Sequence, residues 1–129
     1  MKKFNAYIGL VVHNESIAVA IAESSRNAEI RFYGNIYNKK SQIKKLVDKL
    51  NNNFGSIAFA YEAGPCVYAV YRTLVALNQV CEVVAPSHIQ KKPDDRINSD
   101  HRDAMGLARL FRAGDMHPLG RYAYQANVL

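Results

Sequence analysis

Tyr61-Glu62-Ala63-Gly64-Pro65-Cys66 opens the stretch that decides the fold, and the stretch runs on to Ala113. A strand ends in the first of these residues, and the spacing of Val67, Val70, Tyr71, Leu74 and Leu77 predicts a helix from about Cys66 to Leu77. Val80 to Val84 is a short apolar, β-branched run and reads as the next strand, closing a βαβ unit. Ala85-Pro86-Ser87 then breaks the pattern. A basic loop, Lys91-Lys92-Pro93-Asp94-Asp95-Arg96, leads to Asp100-His101-Arg102-Asp103 at the start of a last helix. One acid at a strand end and two more three residues apart on a helix are an arrangement that can hold a divalent cation.

Working outward, Ser56 to Tyr61 is nearly all apolar, as expected of a central parallel strand covered on both faces. Before it, Ser41 is placed to cap a helix reaching about Leu50, with Ile43, Leu46, Val47 and Leu50 at helical spacing. Lys40, Lys44, Lys45 and Lys49 cover its other surface, an ordinary solvated face. The first 37 residues contain apolar runs at Ala6–Val12 and Ser16–Ala22 and a partly alternating run at Glu29–Tyr37, separated by His13-Asn14-Glu15 and Ser24-Ser25-Arg26-Asn27. They read as a three-stranded meander. The order is therefore β-β-β-α-β-α-β-α, an α/β fold with a mixed five-stranded sheet and the first and fourth strands as central neighbours.

The chain has 129 residues, about half of them apolar, enough for one domain with a real core. Its net charge of +6 is spread out: residues 1–64 carry nine Lys/Arg against five Asp/Glu, and residues 65–129 eight against six. That balance suits an anionic partner such as nucleic acid, and it also suits plain solubility. Cys66 and Cys81 fit neither a metal-ligand spacing nor a disulfide framework, so both are expected as buried reduced thiols of a cytoplasmic protein. No stretch is long enough to span a membrane.

Each carboxylate has a plain alternative. Glu62 could be an exposed strand-end glutamate. Asp100 and Asp103 could be an N-cap and N3 pair at the positive end of a helix dipole. Against that, Asp103 continues the apolar stripe of Leu107, Leu110 and Phe111, which turns both aspartates toward the sheet.

In order along the chain, Tyr7-Ile8-Gly9-Leu10-Val11-Val12-His13-Asn14-Glu15-Ser16-Ile17, Tyr61-Glu62-Ala63-Gly64-Pro65-Cys66, Val83-Val84-Ala85-Pro86-Ser87, Lys91-Lys92-Pro93-Asp94-Asp95-Arg96, Asp100-His101-Arg102-Asp103-Ala104, Leu107-Ala108-Arg109-Leu110 and Arg112-Ala113-Gly114 closely resemble one family. It is the amino-terminal domain of the DEDD transposases, the insertion-sequence family numbered one hundred and ten, which includes the pilin gene inverting recombinases. The resemblance implies a RuvC-like, ribonuclease H-like fold over residues 1–118, DNA transposition as the activity, and Mg2+ (or Mn2+) held by four acids. Carried over by position, Glu62, Asp100 and Asp103 match as catalytic and metal-ligating residues, while the first acid falls on Val11. A valine ligates nothing, so metal binding is expected to be weak or absent.

Lys91, Lys92, Arg96 and Arg102 flank the proposed site, where phosphates would lie, and are expected to meet nucleic acid, the alternative being a solvated loop. The resemblance implies DNA as partner and a structured guide RNA beside it. Residues 119–129 no longer resemble the family, and the expectation is that the family's serine-bearing second domain is absent. The expectation is a truncated copy without transposition activity, forming homo-oligomers or mixed assemblies with an intact transposase. The competing expectations are a catalytically silent nucleic-acid-binding module and a stand-alone nuclease resembling junction resolvases.

Overall fold

The structure, a computed structural model, describes residues 4–25, 28–63, 67–84 and 96–114. Its elements are β1 (Ala6–Val12), β2 (Ser16–Glu23), β3 (Ile30–Tyr37), α1 (Lys40–Phe54), β4 (Ile57–Glu62), α2 (Val67–Ala76), β5 (Val80–Val84) and α3 (Arg96–Ala113). The five strands form one sheet in the order β3-β2-β1-β4-β5. The meander pairs are antiparallel, and β1–β4 and β4–β5 are parallel. The mixed sheet and its central pair thus stand as the sequence predicts.

Side-chain alternation divides the molecule into two unequal layers. Ala6, Ile8 and Leu10 share a face with Ile17, Val19 and Ile21 of β2 and with Ile57, Phe59 and Tyr61 of β4. These large residues form the main core with Ile43, Leu46, Val47 and Leu50 of α1 and Val70 and Leu74 of α2. The opposite face is built from small residues. Ala18, Ala20 and Ala22 of β2 pack against Ala104 and Ala108 of α3, with Tyr7, Val11, Ile30, Phe32 and Met105 around them.

Gly9 sets how close α3 comes. A Cβ at that position would lie 2.5 Å from the Ala104 carbonyl oxygen and 2.7 Å from the Ala108 nitrogen. Helix backbone therefore rests directly on strand backbone. α3 runs antiparallel to β1, since Asp100 lies at His13 beyond the strand's end, while the Phe111 ring meets Tyr7 near its start at 5.2 Å, edge to face. The far end of α3 is clipped by Arg112, whose Nη1 donates to the carbonyls of Glu23, Ser25 and Ala28 at 3.0, 3.2 and 3.0 Å.

Local details depart from expectation. α1 has Lys39 as its N-cap with no side-chain hydrogen bond, so Ser41 is not the cap. The helix also continues past Leu50 through the three asparagines to Phe54, which packs against the core, and stops at Gly55 with φ 80°. α3 begins at Arg96, a full turn before Asp100. Leu110, expected on the buried stripe, is 46% exposed, because the stripe runs through Ala104, Leu107 and Ala108. In β3 the pairing slips between Val19–Gly34 and Ala20–Phe32, leaving Tyr33 as a bulge beside Gly34 at φ 139°. The expected tail of residues 119–129, and Cys66, lie outside the described residues.

Candidate functional site at the carboxyl end of the sheet

β1 and β4 run in parallel, so their carboxyl ends lie side by side at one end of the sheet, the place where α/β folds bind ligands. Glu62 is the last residue of β4 and is half-buried. Since Leu10 pairs with Tyr61, the ladder brings position 11 opposite Glu62 one step further along, and both fall on the face that α3 covers. Position 11 is valine, packed against the alanine cluster. A branched apolar side chain suits that half-buried strand position and supplies no donor.

α3 brings in the other two acids. Asp100 and Asp103 are inside the helix, in its second and third turns, so neither is an N-cap. Both are half-buried. Asp100 Oδ2 accepts a hydrogen bond from His13 Nε2 at 2.9 Å. An ionised carboxylate has no proton to give, so the imidazole nitrogen is the donor. His13 is held in place by its own backbone: its N–H donates to Ser16 O at 2.8 Å, and its carbonyl accepts from Asn38 Nδ2 at 2.7 Å. Asp103 accepts from the buried Ser99 hydroxyl at 3.2 Å, one turn earlier. His101 stacks against Phe32 of β3, ring centroids 4.1 Å apart.

All three predicted carboxylates therefore reach the same end of the sheet, on or beside α3's face. They do not close into a metal centre: among the described residues no three of His, Cys, Asp and Glu lie close enough together to hold an ion. The position facing Glu62 is apolar and one oxygen of Asp100 is engaged by His13, so among the described residues Glu62, Asp100 and Asp103 are the candidate oxygen donors here, with no acid from the first strand. His13 is the site residue that sequence reasoning missed. Its signal was present, since it lies two residues beyond Val11 and so continues the same strand face.

Of the predicted nucleic-acid contacts, Arg102 is exposed on α3 between the two aspartates. Lys91, Lys92 and the side chain of Arg96 lie outside the described residues. Cys81 of β5 is half-buried, and burial, with Glu82 adding to it, pushes its thiol pKa well up. No helix among the described residues is long and apolar enough to cross a membrane.

This architecture is that of a RuvC-like domain. It superposes on Thermus thermophilus RuvC with a TM-score of 0.55 at 14% identity, covering 88% of this chain and 99% of that one. The T. thermophilus RuvC structure in complex with a Holliday junction substrate gives 0.56 at 13% identity over the same shares. Sequence similarity leads to transposases. Over 111 residues the chain is 41% identical to a Sinorhizobium fredii protein described as transposase y4qE, and 39% identical to the transposase for insertion sequence element IS1533 of Leptospira borgpetersenii. Those residues are 86% of this chain but only 28% and 32% of the two relatives, so the chain spans about a third of their length. No protein-family model matches it.

Proposed function

We propose that the chain is the RuvC-like domain of a DNA transposase of the DEDD type, that it binds DNA, and that it holds magnesium or manganese weakly or not at all. The observation that carries this reading is the juxtaposition of Val11 with Glu62 on the face where α3 presents Asp100. Metal ions that assist phosphoryl transfer are held by several oxygen ligands from separate elements, and the central strand is one of those elements here. With valine on it, Glu62, Asp100 and Asp103 remain as three of four ligands.

DNA as partner is supported by the transposase relatives, by the net charge of +6, and by the junction substrate bound to the RuvC neighbour. Lys91, Lys92, Arg96 and Arg102, which flank the acids in sequence, are the proposed phosphate contacts. A structured guide RNA is the further proposed partner, with homo-oligomers or mixed assembly with an intact transposase. In this copy the residues position nucleic acid without cutting it.

The test is calorimetric titration of magnesium and manganese into the protein and its Val11→Asp variant, each with and without Glu62→Ala. Binding in Val11→Asp that Glu62→Ala abolishes, with little in the parent, is the expected result. A folded Val11→Asp variant that binds neither ion would overturn the carboxylate assignment.

A further inference from the structure

On the side of the sheet away from α3, α1 and α2 enclose an open cleft of about 510 Å3. Lys40 and Lys44 form one wall, and Arg72 stands on the other. Ala69, Thr73, Ala76 and Leu77 make up the rest of the lining. Lys44 is paired with Asp48 at 2.8 Å, but the exposed Lys40 and Arg72 have no carboxylate partner among the described residues. The Thr73 hydroxyl donates to Ala69 O, so its proton is turned back onto the helix.

We infer that this cleft is a second contact for the phosphodiester backbone of duplex DNA, on the face opposite the carboxylates; the inference rests on the DNA-binding reading above. Charge complementarity identifies the occupant. Cations stand on both walls and no acid is among the described lining residues, which favours a polyanion passing between them. The small side chains of Ala69, Thr73 and Ala76 let a sugar–phosphate strand sit low between the helices. An acidic amphipathic helix of a protein partner would need large apolar side chains to pack against, and among the described lining residues Leu77, itself packed against the core, is the one such residue. A domain with contacts on both faces of its sheet would hold two DNA segments, or one bent around it.

The experiment is fluorescence anisotropy of a labelled 20-base-pair duplex and a single-stranded RNA of equal length, titrated with the full chain over a range of salt. Lys40→Ala/Arg72→Ala is compared with Lys45→Ala/Arg109→Ala, which removes the same charge from exposed positions outside the cleft. Loss of two phosphate contacts is expected to flatten the slope of log affinity against log salt by about 1.8, a fall of about 60-fold at 0.1 M salt. The control pair should lose far less. Equal losses in both pairs, no change in the cleft pair, or a loss confined to RNA would each overturn the inference. A parent that binds no duplex even at low salt would overturn the DNA-binding reading itself, and this inference with it.

Discussion

At the scale of single residues, Gly9 is the position with the least tolerance. The atoms that a Cβ would strike belong to the backbone of α3, which cannot rotate away as a side chain would. Gly9→Ala is therefore expected to destabilise the fold by about 3 kcal/mol, the upper range for overpacking, as measured by urea denaturation. His13→Ala offers a contrast. Its partner Asp100 is 21% exposed and the imidazole 45%, so the pair is largely screened, and the loss should stay below about 1 kcal/mol. Cys81 gives a prediction in pH. Its thiol has an ordinary value of 9.0 and a higher one in the folded state, so the folded protein favours the neutral form. The resulting stability is whole below pH 9 and declines as pH rises above it, because only the unfolded chain ionises there. In a Cys66→Ser background, a thiol reagent should modify Cys81 of the folded protein much more slowly than a free thiol, because little reactive thiolate forms there, and labelling at the free-thiol rate would contradict this.

At the scale of elements, α3 carries most of what was not legible in the sequence. The strands announce themselves through apolar runs and turn residues, and the order β-β-β-α-β-α-β-α follows from them. The alternation of Ile17, Val19 and Ile21 with Ala18, Ala20 and Ala22 also carried the division of the sheet into a bulky face and a thin one. It reads as plain hydrophobicity until the position of α3 is known. The start of α3 was hidden because Asp100 has the chemistry of a cap, whereas the helix begins at Arg96. Carboxylate positions were legible from residue type and spacing. The His13–Asp100 bond was not, since it joins residues 87 apart. The Arg112 clip is equally non-local and equally testable. Arg112→Met leaves three carbonyls without their charged donor and should cost about 2 kcal/mol. Hydrogen exchange is expected to quicken first in the last turn of α3.

At the scale of the whole molecule, the proposal predicts binding without chemistry. With magnesium present, the chain should retard a branched DNA at low salt and leave every strand intact. Cleavage that disappears in Glu62→Ala would show that three acids suffice. Thermal stability should be almost unchanged by millimolar magnesium, because a ligand stabilises the folded state only where it binds.

The bulge at Tyr33 and Gly34 has a consequence beyond the strand that contains it. Among the described residues β3 forms one margin of the sheet, where unpaired backbone groups would otherwise offer a template to any extended chain. The slipped residue and the positive φ of Gly34 break the regular spacing of those groups halfway along. The opposite margin, β5, is only five residues long. Among the described residues neither border is a long, regular strand edge, so strand-by-strand growth is disfavoured and a copy of the domain produced alone is guarded against fibre-like stacking.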